Sequence, residues 1–223
     1  MTKRALITGA GRGIGFELAR QYAAEGWDVT ATVRDPGTAR ALAELGIRVE
    51  ALDMRDLPAL AAFPERLGGR PLDLFVANAG ISKAKGIRSV EDAQAWQEVH
   101  LVNCVAPTLL AEVLLPLVEA AGGRMAAISS RMGSIDDSSG GYVGYRASKA
   151  ALNAAWRALA LGWRDRPVTL VLLHPGWVQT DMGGTQAPLC AQESVAGMRR
   201  VIAGLSRSQS GAFIDYRGDP IPW

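Results

Sequence analysis

The chain has 223 residues, 48% of them hydrophobic, and its 24 basic and 22 acidic side chains leave a net charge of +2. This length suits one compact core, so we expect a single domain over residues 1–223. So balanced a charge gives no steering toward nucleic acid or an anionic membrane. The sequence begins close to a strand-like segment and shows no apolar run that looks long enough to span a bilayer, so we expect a cytoplasmic protein.

Short apolar segments alternate with longer amphipathic ones along the chain. We expect strands at 5–7, 29–33, 47–52, 72–77, 125–129, 168–173 and 212–215, and helices at 14–25, 38–45, 58–67, 90–120 and 144–163. Pro107 and Pro116 should kink or split the longest helix. Strands separated by helices indicate a parallel sheet, and right-handed crossovers then make it a doubly wound α/β fold.

A glycine-rich turn, TGAGRGIG, follows the first strand and opens the first helix. Glycines let the backbone approach a pyrophosphate, and the helix N-terminus offers N–H groups and the positive end of its dipole. The spacing is TGxxxGxG, because Ile14 stands where GxGxxG has its third glycine. The candidate contacts with a dinucleotide are Thr8, Gly9, Gly13, Ile14 and Gly15, and an ordinary glycine-rich turn is the alternative.

The end of the second strand bears on the choice of cofactor. An acid there is typical of NAD binding, whereas an arginine suits the 2′-phosphate of NADP. Val33 occupies the position of the acid, Arg34 follows it, and Arg12 lies in the glycine turn. Because two arginines can hold a phosphate through charge-assisted hydrogen bonds, we favour NADP(H). Asp35 leaves NAD(H) open, since its carboxylate would accept from a ribose 2′-OH.

Tyr145 and Lys149 lie four residues apart at the start of the clearest predicted helix, so they share one helical face. A nearby ammonium favours the phenolate and lowers the pKa of a tyrosine from its usual value near 10. We expect this shift to make Tyr145 an effective general acid or base. A surface pair formed by chance is the alternative. The cysteines and histidines are too scattered for ligand spacing, which predicts no metal site.

Together these motifs resemble the short-chain dehydrogenase/reductase family over essentially the whole chain. Its short length and the sequence DPIPW at its end look most like the small carbonyl-reductase and C-factor branch. The resemblance implies a Rossmann-type doubly wound sheet and an oxidoreductase that acts on a small-molecule carbonyl or alcohol with NAD(P). Further matching positions are Asp53 and Met54, Asn78-Ala79-Gly80, Asn103, Ser130, and Pro175, Gly176, Val178 and Thr180 of a PGxVxT segment.

The roles of these residues are those that the resemblance implies. Tyr145 would give a proton to the carbonyl oxygen, and Ser130 would hydrogen-bond the same oxygen. Lys149 would bind the nicotinamide ribose and lower the tyrosine pKa, and Asn103 would hold a water near it. The other matching positions would contact the cofactor. Adjacent serines in a strand face opposite ways, and the family pattern selects Ser130 rather than Ser129.

Three readings of the function follow from the sequence. The first is an NADPH-dependent carbonyl reductase, and the second is an NAD-dependent alcohol dehydrogenase. The third is a dinucleotide-binding sensor or signalling protein with little turnover, against which the complete set of Ser130, Tyr145 and Lys149 argues. Relatives commonly pair the helices at 90–120 and 144–163 across a dimer axis, which implies a homodimer. The sequence does not identify the substrate.

Overall fold

The computed structural model describes residues 2–83 and 86–223. Its strands are β1 Arg4–Ile7, β2 Asp28–Val33, β3 Arg48–Ala51, β4 Leu74–Ala77, β5 Arg124–Ile128, β6 Thr169–His174 and β7 Ala212–Asp215. They form one sheet in the order β3-β2-β1-β4-β5-β6-β7, and each strand runs parallel to its neighbours. The order reverses between β1 and β4, where open α/β sheets bind ligands.

Helices cover both faces of this sheet. They are α1 Gly13–Ala24, α2 Arg40–Glu44, α3 Leu57–Ala61, α4 Phe63–Arg66, α5 Val90–His100, α6 Ala106–Ala121, α7 Val143–Gly162 and α8 Ala191–Gly204. Within β4, Phe75 packs into the core cluster beneath α6 and α7, whereas Leu74 and Val76 pack into the cluster beneath α1 and α8. Strands buried on both faces explain the continuous apolar runs of the sequence. The predicted doubly wound α/β fold is confirmed.

The long helix predicted at 90–120 is divided. A single π turn, Leu101–Val105, separates α5 from α6, and Pro107 lies in the first turn of α6. Because α6 continues directly from the π turn, Pro107 removes one N–H from the helical hydrogen-bond ladder next to that turn. Pro116 lies inside α6, which continues to Ala121.

Two expectations from the sequence need correction. The helical stretch Val90–Ala121 is long and apolar enough to cross a membrane, although no such run was expected. Half of its most apolar window is buried inside the fold, as in the core helix of a globular protein. The second correction is that no helix was predicted where α8 lies. Its buried face includes Ser194 and Gly197, which weaken the apolar periodicity that identifies a helix.

Candidate active site

The glycine-rich turn lies at the carboxyl ends of β1 and β4. Gly9 has φ +66° and sits so close to the next loop that a Cβ on it would lie 2.8 Å from Ala79 Cα. Gly13 has φ +56°, and its Cβ would lie 3.2 Å from Thr180 Cγ2. These glycines therefore bring the turn against the loops that follow β4 and β6, and only glycine adopts such conformations freely.

The side chains of Thr8 and Asn78 join the same two loops. Thr8 Oγ1, fully buried, accepts from the backbone N–H groups of Asn78 at 3.1 Å and Ala79 at 3.2 Å. Asn78 Nδ2 donates to the backbone oxygens of Thr8 at 2.9 Å and Gly9 at 3.1 Å. Both side chains thus shape the floor of the turn through these hydrogen bonds.

Asn103 lies in the π turn between α5 and α6 and is 1% exposed. Its Oδ1 accepts from Ile81 N at 2.8 Å, and its Nδ2 donates to Ile81 O at 2.9 Å and to Ser148 Oγ at 3.0 Å. Ser148 Oγ in turn donates to the backbone oxygen of Tyr145 at 2.8 Å. Asn103 therefore connects the loop after β4 with the first turn of α7. Because both its amide hydrogens are used, a water held by Asn103 would have to donate to one of its oxygens.

Lys149 and Tyr145 share one face of α7, as their spacing predicts. Lys149 is 4% exposed, its Nζ donates to Ile128 O at 2.7 Å, and Nζ lies 5.8 Å from the centre of the Tyr145 ring. Burial lowers the pKa of Lys149 to about 8, although the neighbouring Cys104 thiol acts in the opposite direction.

The predicted lowering of the Tyr145 pKa is wrong for this structure. Burial raises the pKa of Tyr145, and a hydrogen bond with Ser130 only partly opposes it. A buried phenol loses more by ionising than a neighbouring amine returns, particularly when burial also disfavours the charge on Lys149. Tyr145 therefore keeps its proton at neutral pH.

The two serines after β5 have different surroundings. Ser130 is the N-cap of a single 3₁₀ turn, Arg131–Gly133, and its Oγ accepts from Met132 N at 3.1 Å. Ser129 is 2% exposed, and its Oγ donates to Asn153 Oδ1 at 2.6 Å. Ser130 also forms a hydrogen bond with Tyr145, whereas Ser129 is a core hydroxyl that holds α7 against the sheet.

The PGxVxT segment follows β6 and is fixed from both sides. Ser194 Oγ, in the first turn of α8, donates to Pro175 O at 2.6 Å, and Val178 pairs with Leu189 in an isolated parallel bridge. Gly176 has φ +84°, and a Cβ on it would lie 2.8 Å from Leu189 Cδ2. This packing holds Thr180 against the glycine-rich turn.

Two candidate cofactor residues have ionic partners that sequence reasoning missed. Asp53 accepts from the guanidinium of Arg55, with 2.5 Å between Oδ2 and Nη2, and this contact lowers the Asp53 pKa. Met54, between them in sequence, is buried. Arg12 Nη1 lies 2.6 Å from Asp181 Oδ2, just beyond Thr180. The pairing of Arg55 with Asp53 could have been predicted from their separation of two residues. The pairing of Asp181 with Arg12 could not, because the two are far apart in sequence.

Arg34 is exposed and lies near enough to Asp53 for its charge to help lower that carboxyl's pKa. Arg34, which follows β2, therefore lies close to the residues that follow β3.

Comparison with known proteins identifies the family. The short chain dehydrogenase profile matches residues 3–188. The chain belongs to this family. C-signal of Myxococcus xanthus is 42% identical over 166 residues, which cover 74% of this chain and 100% of that protein.

Solved structures place this dehydrogenase in the carbonyl-reductase branch. The NADPH-bound carbonyl reductase from chicken fatty liver superposes with a TM-score of 0.90 at 36% identity, over 100% of this chain and 99% of that one. Carbonyl reductase Sniffer of D. melanogaster superposes with a TM-score of 0.91 at 31% identity, over 100% of both chains. The protein is thus an NAD(P)-dependent oxidoreductase.

The glycine-rich turn of this dehydrogenase fits the pyrophosphate of such a cofactor. The N-cap of α1, Arg12, makes no side-chain capping bond, and the first turn carries no acid. The N–H groups at the start of α1 are therefore left for an anionic group, and no carboxylate in that turn repels it.

Proposed function

We propose that this protein reduces a small-molecule carbonyl compound to an alcohol with NADPH, and that Tyr145 donates the proton. The proposal rests on one arrangement: Tyr145, Ser130 and Lys149 meet at the carboxyl end of β5, within the same sheet edge as the uncapped N-terminus of α1. A positioned acid beside a dinucleotide site is what carbonyl reduction needs.

The raised pKa of Tyr145 keeps its phenol protonated, which suits this residue to the role of proton donor. A phenol that stays protonated at neutral pH can give its proton to a carbonyl oxygen, whereas alcohol oxidation needs the phenolate as base. Ser130 lies beside Tyr145 and would donate a second hydrogen bond to that oxygen as negative charge develops on it. Bound NADPH would supply the hydride.

Lys149 and Asn103 would hold the reacting groups in place. One N–H of the Lys149 ammonium is donated to Ile128 O, which fixes its direction and leaves two N–H groups for ribose hydroxyls. Asn103 would support a water that passes protons toward Lys149. Asp53 and Met54 would contact the adenine ring, and Thr180 would contact the nicotinamide.

The preference for NADPH over NADH rests on Arg12 and Arg34. Arg34 directly follows β2 and Arg12 directly precedes α1, and we expect the two guanidinium groups to bind an adenosine 2′-phosphate. The chicken carbonyl reductase, which superposes over the full length of this chain, holds NADPH.

We further propose one cytoplasmic domain over residues 1–223 that forms a homodimer. Val105 and Leu161 support a dimer through α5–α7, because these apolar side chains are 47% and 56% exposed there. Light scattering at micromolar concentration tests this, and a monomer mass would contradict it.

NADPH oxidation with a panel of aldehydes, ketones and quinones tests the proposed reaction. Tyr145→Phe should lower kcat by about 100-fold or more without weakening NADPH binding, since only the proton donor is lost. Tyr142→Phe is the matched control, because it removes a tyrosine hydroxyl three residues earlier, and it should keep normal turnover. Equal activity in the Tyr145→Phe protein would contradict the assignment.

A second candidate function is signalling by a dinucleotide-bound protein with little turnover. The relative named C-signal, matched over its whole length, favours this reading. Tight NADPH binding without turnover on the full panel, in both wild type and Tyr145→Phe, would support it over the reductase.

A further inference from the structure

The residues after β7 fold back along the outer edge of the sheet. Asp215 N donates to Asp219 O at 2.9 Å, and Ile221 N donates to Phe213 O at 2.9 Å. Ile221 is 4% exposed, so this returning segment is packed and not a loose tail. Its path leads Trp223 toward α7.

The indole of Trp223 packs between β7 and α7. Its ring centre lies 5.7 Å from that of Phe213, and the Arg157 guanidinium carbon lies 5.4 Å from the same ring. Arg157, on α7, also donates to Gly211 O at 3.0 Å just before β7. The ring is thus held by an aromatic neighbour and a cation, while the residue as a whole is 44% exposed.

The backbone oxygen of Trp223 then bonds to the loop that follows the catalytic serine. It accepts from Asp136 N at 2.9 Å and from Ser134 Oγ at 3.3 Å. Ser134 is 2% exposed, and its Oγ accepts from Asp137 N at 3.0 Å. Two hydrogen bonds to Trp223 O therefore fix this part of the loop, and a third, within the loop, orients Ser134.

The same loop is tied back to the residue after Ser130. Arg131 Nη1 lies 3.1 Å from Asp137 Oδ2, and Ser134 N donates to Arg131 O at 3.0 Å. The 3₁₀ turn Arg131–Gly133 packs tightly on α7, because a Cβ on Gly133 would lie 2.9 Å from the Lys149 backbone. A shift of the Ser134–Asp137 segment would therefore pull on the turn that carries Ser130.

We propose that Trp223 is a positioning residue, which acts through Ser134 and Asp136 to hold the turn carrying Ser130 against α7. This inference rests on the proposed reductase function for its kinetic consequence. A donor displaced by a fraction of an ångström makes a poorer hydrogen bond to the developing oxyanion, so the effect falls on kcat. The cofactor turn lies on other elements and should not respond.

Steady-state kinetics of Trp223→Ala, Trp223→Phe and Ser134→Ala test the proposal. Trp223→Ala should lower kcat by about tenfold while the KM for NADPH stays unchanged, and Trp223→Phe should restore most of kcat because an aromatic ring remains. The kcat of the Trp223→Ala/Ser134→Ala double variant should be little lower than that of the more impaired single variant, because both substitutions disrupt the same set of contacts.

Trp27→Ala is the matched control. Trp27 likewise packs against an aromatic ring, Tyr22, and beneath a cation, Lys3, but it lies just before β2 and away from the site. It should lose stability and keep kcat. An unchanged kcat in Trp223→Ala, or an equal loss in Trp27→Ala, would overturn the proposal.

Hydrogen exchange separates this proposal from the proposed function. The amides of Gly133, Ser134 and Asp136 are hydrogen-bonded, and they should exchange about tenfold faster in Trp223→Ala than in wild type or Trp27→Ala. If wild type turns over no carbonyl compound, the reductase function fails, and the exchange result still decides the role of Trp223. Unchanged exchange in Trp223→Ala would refute it. Should Trp223→Ala not fold, Ser134→Ala gives the same comparison.

Discussion

Lys149 Nζ donates a hydrogen bond to the backbone oxygen of Ile128, the last residue of β5, at 2.7 Å. This contact directs the amine toward the site, but it buries a group that water solvates well. The pKa of Lys149 falls from 10.5 to about 8 in the folded protein. Below about pH 8 both folded and unfolded chains carry the ammonium, and the folded chain has the full cost of burying it.

Lys149→Met should therefore raise the free energy of unfolding at neutral pH by about 1–3 kcal/mol while abolishing turnover. The fall of the Lys149 pKa from 10.5 to about 8 corresponds to roughly 3 kcal/mol of stability that burial of the ammonium costs. Loss of the hydrogen bond to Ile128 O offsets part of that gain in the variant. Because the unfolded chain binds more protons between about pH 8 and 10.5, the advantage of the variant should shrink as the pH rises through that window.

Urea unfolding at several pH values measures this difference. Lys83→Met is the control, since Lys83 is 54% exposed and pairs with Glu98 at the surface, where its loss should matter little. A variant less stable than wild type at neutral pH would show that the Ile128 contact outweighs the burial of charge.

Exchanging the two neighbouring serines for alanine separates catalysis from packing. Ser130→Ala should lower kcat by about 100-fold with little change in stability, because it removes a donor to the carbonyl oxygen. Ser129→Ala should cost about 1–3 kcal/mol, because Asn153 Oδ1 is left buried without its donor, while the folded protein keeps its kcat. Thermal unfolding measures the stability of both variants, and initial rates measure their kcat. The reverse pattern would assign the reaction to Ser129.

Local sequence signals were enough to predict the sheet and the position of the candidate catalytic pair, Tyr145 and Lys149. The strands at 72–77 and 168–173 were evident as apolar runs, because burial on both faces removes any need for polar residues. Tyr145 and Lys149 share a face by helical spacing alone. Strand alternation predicted only that Ser129 and Ser130 face opposite ways, and the resemblance to the family was needed to select Ser130.

Properties that depend on distant parts of the chain were not predictable. Arg12 and Asp181 are 169 positions apart, and Ser134 and Trp223 are 89 apart, so no local pattern links either pair. The Tyr145 pKa depends on how all neighbouring elements exclude water, which residue spacing does not report.

Asp181→Asn should strengthen NADPH binding, because Asp181 occupies the Arg12 guanidinium that a 2′-phosphate would use. Both side chains are more than two-thirds exposed, at 75% and 71%, so their pairing is worth only about 0.2–1 kcal/mol and the Kd should fall by a factor of about 1.4 to 5. NADH lacks the phosphate and should bind as before. The gain should diminish at high salt.

Fluorescence titrations with both cofactors measure these constants. Asp165→Asn is the matched control, since it breaks the exposed pair with Arg164 and changes the net charge equally. Weaker NADPH binding by the Asp181→Asn protein would instead mean that the pair helps to retain the bound cofactor.

His174, at the end of β6, should make the protein sensitive to acid. Its Nδ1 is buried without a hydrogen-bond partner, and burial, assisted by the charge of Arg131, lowers its pKa from 6.5 to about 4, although Asp215 acts in the opposite direction. The unfolded chain therefore binds more protons below about pH 6.5, and stability should fall as the pH drops from there to about pH 4.

His174→Asn should flatten this part of the urea-unfolding profile, and His100→Asn controls for the loss of an imidazole. Arg131→Gln should reduce the fall without abolishing it, because removing one positive charge raises the His174 pKa toward 6.5 while burial continues to lower it. A profile that is equally steep in the His174→Asn protein would assign the acid sensitivity to other groups.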